Sequence, residues 1–234
     1  MKRIYNLDKI RGLTIISMVL FHLMYNINFF REISWYNGTL LNKVWQLSIA
    51  LSFFIISGIT STLLSAKKNI KRGIKTSIIG VLISIATFIF ARDQFIVWGV
   101  MNGLGLSMII GGLFKNDKIF SKKMIFVFLL IFALTYNIPR NSLINVAFFK
   151  YLYDINIFPL GFPSYEFISA DYFPMIPWVF AYFSGISLGN LLHEKNFYNK
   201  YGTDNLLAKI GRYSMPIYLI HQVILYPIIS VFFR

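Results

Sequence analysis

Two histidines lie within apolar stretches that are long enough to enter a lipid bilayer. His22 follows the run LTIISMVLF, and His221 lies in PIYLIHQVIL near the end of the chain. An ionisable side chain inside a membrane is energetically costly and usually has a function. Because imidazole exchanges protons near neutral pH, both residues are candidates for acid–base or nucleophilic chemistry. The alternative for His22 is a structural hydrogen bond between helices. The third histidine, His193, follows an apolar run and is expected to be solvated.

Arg11 and His22 are predicted to share one helical face. At about 100° per residue their eleven-residue spacing is only ~20° from three full turns, and it separates them by about 16 Å along the axis. Met18 falls on or beside the same stripe. A polar stripe of this kind faces protein or a cavity rather than lipid. The alternative for Arg11 is an ion pair with Asp8, three residues earlier.

Further polar candidates lie near other apolar stretches. The segment FIVWGVMNGLG carries Trp98 and Asn102, and Asn102 suits either ligand orientation or a structural hydrogen bond. Asp171 precedes a proline-containing apolar run, where capping of a helix is its alternative role. Glu32 follows the first run. No group of His, Asp and Glu shows metal-ligand spacing, so no metal is expected.

The composition indicates an integral membrane protein. Of the 234 residues, 56% are hydrophobic and only 14% are charged, and cysteine is absent, which excludes disulfides and thiol catalysis. We expect an all-α polytopic protein, one compact bundle forming a single domain over 1–234, with a long outer loop at roughly 139–172. About seven apolar stretches approach the ~20 residues that span a bilayer. They cover roughly 10–29, 44–65, 74–91, 95–113, 122–138, 173–192 and 213–232.

The net charge of +14 is distributed unevenly between alternate loops. Seventeen basic residues fall on the side of the N-terminus and six on the other side. By the positive-inside rule, the N-terminus is predicted to be cytoplasmic and the C-terminus outside. The basic charge is thus explained by topology and by attraction to anionic lipids, and no nucleic-acid partner is expected.

Five segments in register resemble the bacterial branch of the heparan-α-glucosaminide N-acetyltransferase catalytic-domain family. They read LDKIRGLTIISMVLFH, WQLSIALSFFIISGITS, FIVWGVMNGLGLSMI, DYFPMIPWVFAYFSGISLG and IGRYSMPIYLIHQVIL, and their order and spacing match across nearly the whole chain. The resemblance implies a transmembrane acyltransferase of the bacterial plasma membrane. It would move an acetyl group from cytosolic acetyl-CoA to an amino or hydroxyl group of a sugar on the far side. The acceptor would be an amino sugar or a cell-envelope glycan, and a homodimer is plausible.

The resemblance also suggests roles for individual residues. Anionic phosphates of the acyl donor suit arginines at helix ends, and the extended arm of the cofactor could rise between helices. A buried histidine could take the proton of the acceptor or carry the acetyl group. The implied residues are Arg11, Arg212 and Met18 for the cofactor, His22 as the catalytic group with Asp171 on its second nitrogen, and Asn102, His221 and Trp98 for the oxyanion or substrate.

One position departs from the animal lysosomal enzyme of the family. An asparagine stands there at the place of His22, and its catalytic histidine falls at or near Glu32. Either His22 has taken over the chemistry, which we favour, or Glu32 contributes as a base. A different class remains open: a small permease or flippase for a polar solute or a lipid-linked sugar would also use intramembrane histidines.

Overall fold

A computed structural model describes residues 3–114, 118–199 and 202–233. The described chain is helical, which confirms the predicted all-α class, and it contains isolated β-bridges but no strand within these ranges. The same ranges contain four short 3₁₀ turns between or beside the helices. The α-helices are α1 (Tyr5–Phe30), α2 (Leu40–Thr62), α3 (Ala66–Phe90), α4 (Val100–Leu113), α5 (Met124–Thr135), α6 (Ala147–Asp154), α7 (Met175–Glu194), α8 (Leu206–Arg212) and α9 (Ser214–Phe232).

Five of these helices are long and apolar enough to cross a membrane: α1, α2, α3, α7 and α9. The shorter helices α4 and α5 account for the other two apolar stretches. The count of seven spans and the sides of the two termini therefore remain predictions. Four basic residues that entered the charge comparison, Lys2, Lys115, Lys200 and Arg234, lie outside the described residues.

The chain divides into two compact units. The first comprises Met1–Ile56 and Asn196–Arg234, and the second comprises Ser57–Lys195. Helix α2 therefore contributes residues 40–56 to the first unit and 57–62 to the second. The prediction of a single domain over 1–234 stays a prediction.

In the first unit, α8 packs closely against α1 because both helices carry glycine at the contact. A Cβ added at Gly12 would meet the carbonyl oxygen of Leu207, and one added at Gly211 would meet that of Asp8. Asn205 begins α8 by accepting a hydrogen bond from the backbone N–H of Ala208 (3.0 Å). The core of this unit is apolar and is built from Ile15, Met18, Phe21, Tyr36 and Ile49.

In the second unit, α3 and α4 approach each other through small residues. The backbone at Gly73 lies against Gly105, and the backbone at Gly80 lies against Asn102. Gly103 faces the carbonyl oxygen of Phe173, just before α7. Small residues allow this closeness between membrane helices, since no larger side chain separates their backbones.

The middle of α7 is also fixed by close packing. Gly58 at the end of α2 lies against the Tyr182 carbonyl oxygen and the Cα of Gly185, while Gly189 lies against Ile59 and Thr62. The glycines that the sequence places along this helix thus contact 57–62. Tyr182 is fully buried as a result.

The long predicted loop at 139–172 contains α6 and packs onto its own unit through aromatic rings. The Tyr153 hydroxyl donates to the carbonyl oxygen of Ile138 (2.6 Å), and the Phe158 ring meets that of Trp98 edge to face. Tyr172 donates its hydroxyl hydrogen to the carbonyl oxygen of Phe158 (2.7 Å). Burial raises the pKa of Tyr172, which keeps its hydroxyl protonated as a donor. The apolar loop therefore folds back beside the start of α4.

Candidate active site

The first unit brings the two intramembrane histidines together. His22 on α1 and His221 on α9 have ring centroids 4.7 Å apart, with 55° between the ring planes. His221 is 8% exposed and His22 is half-buried. The sequence predicted the importance of each residue separately, but their contact depends on how α9 packs against α1.

A glutamine organises this pair. Gln222, next to His221 in sequence, has its amide nitrogen 3.0 Å from Nδ1 of His22. Its amide oxygen accepts a hydrogen bond from Nδ2 of Asn26 (2.9 Å), one turn beyond His22 on α1. Because the amide oxygen of Gln222 already accepts from Asn26, its amide nitrogen faces His22 and donates a hydrogen bond to Nδ1 of His22. In the neutral ring the proton then lies on Nε2.

His221 has the opposite tautomer. Its Nδ1 contacts the backbone carbonyl oxygen of Tyr218, which can only accept, so Nδ1 carries the hydrogen. In the neutral ring Nε2 is left with a free lone pair. That nitrogen is buried and has no hydrogen-bond partner among the described residues. The two rings therefore offer complementary groups, an N–H on His22 and a lone pair on His221.

Glu32 and Met18 lie away from these polar contacts. Glu32 is exposed in the segment after α1, where its carboxylate accepts a hydrogen bond from Nδ2 of Asn37 (2.9 Å). Within the described chain it forms no hydrogen bond with either His22 or His221. Met18 is 3% exposed and belongs to the apolar core of the unit. Their predicted roles, as base and as cofactor contact, stay predictions.

The two arginines predicted to hold the cofactor each have a carboxylate partner. Nη1 of Arg11 lies 2.8 Å from Oδ1 of Asp8, which is the ion pair that the sequence offered as the alternative. Asp8 is buried and also receives Nε of Arg3 at 2.6 Å. Nη1 of Arg212, at the end of α8, lies 2.8 Å from Oδ1 of Asp204, and this hydrogen bond raises the pKa of the guanidinium. Both arginines remain proposed phosphate ligands.

In the second unit, Asp171 caps a helix other than the one it precedes. Its Oδ2 accepts a hydrogen bond from the backbone N–H of Val100 (3.2 Å) at the start of α4. Gly99 provides no side chain of its own at this cap, and a Cβ there would lie 3.1 Å from Oδ2. Burial raises the pKa of Asp171 to about 6, against the lowering effect of the Val100 N–H. A carboxyl group with this pKa can exchange protons near neutral pH.

Trp98 and Asn102 lie beside this cap. The chain at 95–98 runs next to 169–173, with Phe173 donating its N–H to the carbonyl oxygen of Trp98 (3.0 Å). The indole Nε1 of Trp98 is buried and finds no acceptor among the residues described. Asn102 is 2% exposed, and its Oδ1 likewise has no donor in the described chain. Both groups retain unused hydrogen-bonding capacity, as a ligand site requires.

The predicted residues thus fall into two groups. The first unit contains His22 and His221 in contact, and the second contains Asp171, Trp98 and Asn102 around the start of α4. Sequence reasoning missed Gln222, although a polar residue beside His221 in an otherwise apolar helix was a usable signal. No group of three or more His, Asp and Glu residues suited to a metal is found among the described residues.

Comparison with known proteins is consistent with this helical membrane chain. The family model described as "Heparan-alpha-glucosaminide N-acetyltransferase, catalytic" matches residues 3–223. No curated protein and no solved structure matches the chain. The match extends from before α1 into α9 and includes both histidines. The chain therefore belongs to the heparan-alpha-glucosaminide N-acetyltransferase catalytic-domain family.

Proposed function

We propose that this protein is a multi-pass membrane acetyltransferase that uses acetyl-CoA as donor. It transfers the acetyl group to an amino or hydroxyl group of a sugar on the extracytoplasmic side. Membership of the family supports an acyltransferase, and the five long apolar helices support embedding in a membrane. The source of the chain is proposed to be bacterial and its location the plasma membrane.

The observation that carries the proposal is the contact between His22 and His221. Attack of an amine or hydroxyl on a thioester requires a group that accepts the acceptor's proton and a donor that stabilises the oxyanion. The free Nε2 lone pair of His221 suits the first task, and Nε2–H of His22 suits the second. This arrangement exchanges the roles that the sequence suggested, in which His22 was the base and His221 the oxyanion donor.

The reaction then proceeds as a direct transfer. The acceptor's N–H or O–H gives its proton to Nε2 of His221 as the nucleophile attacks the thioester carbon. His22 donates a hydrogen bond to the carbonyl oxygen while that oxygen carries negative charge. When the intermediate collapses, the C–S bond breaks and the proton on His221 passes to the coenzyme A thiolate. Gln222 holds His22 in the donor tautomer throughout.

The phosphates of the donor are proposed to lie at the cytoplasmic ends of α1 and α8, where Arg11 and Arg212 are found. Met18 is proposed to contact the extended arm. Trp98 and Asn102 keep the role that the resemblance implies, at the oxyanion or the substrate, and their buried polar atoms without partners in the described chain support it. The role implied for Asp171, on the second nitrogen of His22, stays a prediction. Glu32 is retained as the candidate base should the histidine pair prove dispensable.

The test is binding and transfer by the purified protein in lipid nanodiscs. Coenzyme A binding is measured by calorimetry, and transfer of radiolabelled acetyl from acetyl-CoA to glucosamine is measured by chromatography. We expect binding by wild type and by His22→Ala, with transfer lost only in the variant. His193→Ala, an exposed histidine at the end of α7, is the matched control and should retain transfer.

The same experiment separates the transferase from the permease or flippase. A permease would bind no coenzyme A and would give no labelled product, whatever its effect on sugar uptake into vesicles. Absence of coenzyme A binding by folded wild-type protein would overturn the proposal.

A further inference from the structure

One arginine of the second unit is held differently from the basic residues around it. Four lysines in the first turns of α3 are exposed: Lys67, Lys68, Lys71 and Lys75. Arg72 is half-buried, and its Nη1 is fully shielded from solvent. A long cationic side chain near a helix end normally extends its charged group into water. The guanidinium of Arg72 instead turns into the protein.

No carboxylate or hydrogen-bond acceptor among the described residues contacts Nη1 to account for this position. Nη1 of Arg72 has no hydrogen-bond partner there, and the guanidinium forms no ion pair with a described carboxylate. A buried, unpaired cationic donor is costly, so such groups are normally matched by an anion or an acceptor. Arg11 and Arg212 both have aspartate partners, whereas Nη1 of Arg72 retains an unused hydrogen-bond donor among the described residues.

A rigid polar network lies beside Arg72. Asn69, one turn earlier on α3 and fully buried, donates from Nδ2 to the carbonyl oxygen of Met108 (3.0 Å). The same Nδ2 lies 3.1 Å from the hydroxyl oxygen of Tyr182 on α7. The Tyr182 hydroxyl also bonds the side chain of Ser61 and lies close enough to Arg72 for an electrostatic interaction. The network joins α2, α3, α4 and α7 around this position.

We propose that Arg72 is the anchor of a phosphate-binding site in the second unit. The planar guanidinium can donate two parallel hydrogen bonds to one phosphate. The Tyr182 network holds the surrounding helices in fixed positions. Nothing in the sequence distinguished Arg72 from the other basic residues of this turn.

The phosphate group could come from two sources, the nucleotide end of acetyl-CoA or the headgroup of an anionic phospholipid. In the first case the inference rests on the proposed function and adds Arg72 to the residues that bind the donor. In the second it stands without that function. Adenosine 3′,5′-bisphosphate carries the nucleotide phosphates without the acyl arm and is the probe for the first source. Phosphatidylglycerol is the probe for the second.

The experiment uses the full-length protein and three variants. Arg72→Gln removes the cation. Arg72→Lys keeps a positive charge but loses the planar guanidinium that can donate two parallel hydrogen bonds. Lys71→Gln removes an exposed neighbouring charge and is the matched control. Binding of adenosine 3′,5′-bisphosphate is followed by calorimetry in nanodiscs of phosphatidylcholine. Retention of phosphatidylglycerol over phosphatidylcholine is followed by native mass spectrometry. Circular dichroism and size-exclusion chromatography show that each variant is folded.

We expect Arg72→Gln to weaken one of the two ligands by roughly tenfold or more, the usual effect of losing a hydrogen-bonded charge. Arg72→Lys should retain part of the binding, and Lys71→Gln should stay within about threefold of wild type because exposed charges contribute little. If Arg72→Gln is unfolded, the folded Arg72→Lys variant decides the question by its loss of affinity. The inference is overturned if folded Arg72→Gln binds both ligands with wild-type affinity. If only Arg72→Lys folds, wild-type affinity of that variant for both ligands overturns it.

The outcomes also separate this inference from the proposed function. Protein that binds phosphatidylglycerol through Arg72 but binds no coenzyme A supports the phosphate site and contradicts the transferase. Protein that transfers acetyl groups while its folded Arg72 variants keep wild-type affinity for both phosphate ligands supports the transferase and contradicts the phosphate site.

Discussion

The ring centroids of His22 and His221 lie 4.7 Å apart, and Gln222 contacts His22 from the position next to His221. Two helices far apart in sequence thus present a donor N–H and an unpaired lone pair at one place. An imidazole N–H beside a free imidazole lone pair is suited to general acid–base chemistry.

Replacing either histidine should abolish most transfer for different reasons. His221→Gln removes the base, and we expect a loss of roughly 10²- to 10⁴-fold in kcat, the usual contribution of general base catalysis. His22→Ala removes the oxyanion donor, with a loss of about 10²- to 10³-fold. Steady-state kinetics with labelled acetyl-CoA measures both. The role assignment is contradicted if the pH dependence of kcat is preserved in His221→Gln and lost in His22→Gln.

Gln222 is expected to act by fixing the tautomer of His22. In Gln222→Leu, a loss of about 1.4 kcal/mol of hydrogen bonding to the ring corresponds to roughly tenfold in kcat. The KM for acetyl-CoA should change little. ¹⁵N NMR of labelled histidine in the wild type should show Nε2 protonated in His22 and Nδ1 protonated in His221. Gln46→Leu, an exposed glutamine on α2, is the control, and equal losses in the two variants would refute a specific role for Gln222.

Arg11 and Arg3 share the carboxylate of Asp8 and form a matched pair for testing cofactor binding. If Arg11 binds phosphate, Arg11→Gln should raise the KM for acetyl-CoA roughly tenfold, as expected for a lost charge-assisted hydrogen bond. Arg3→Gln should leave KM near the wild-type value. Identical effects on melting temperature and KM in the two variants would mean that Arg11 serves only the ion pair.

The raised pKa of Asp171 predicts a specific pH dependence of stability. Because its pKa in the folded protein is about 6, above the ordinary aspartate value of 3.8, the folded state binds more protons than the unfolded state between these values. The contribution of this carboxyl group to the free energy of unfolding is therefore greatest below about pH 4 and is lost as the pH rises toward 6.

Asp171→Asn should remove this dependence while preserving an acceptor for the Val100 N–H. Its melting temperature relative to wild type should rise between pH 4 and pH 6 and then level off. Thermal unfolding of both proteins in the same detergent across this range is the measurement. Parallel curves for the two proteins would contradict a raised pKa.

The helical fold could be predicted from the sequence because each apolar stretch coincides with a helix. The first residues of α3 and α4 differ from those of the predicted apolar stretches, because a helix cap and a backbone pairing set them rather than hydropathy. Helix α3 begins at Ala66 rather than near 74, since Ser65 caps it through its hydroxyl and the helix continues through the lysine-rich turns. Helix α4 begins only at Val100, because 95–98 pairs with 169–173. The short helices α6 and α8 have too few residues for a periodic signal.

The candidate site could be predicted only in part. The sequence showed which residues can exchange protons, and it also indicated the ion pair between Arg11 and Asp8. The contact between α1 and α9 and the cap from Asp171 to Val100 depend on tertiary packing, which spacing along the chain does not encode. Arg72 was indistinguishable from its lysine neighbours until its burial was known.

The most direct test of the central claim is a cryo-EM structure of the protein with coenzyme A bound. We predict that the thiol sulfur lies within a few ångströms of the His22 and His221 rings, with the nucleotide phosphates on arginine side chains. A structure with the sulfur far from both rings, or with His22 turned toward lipid, would contradict it.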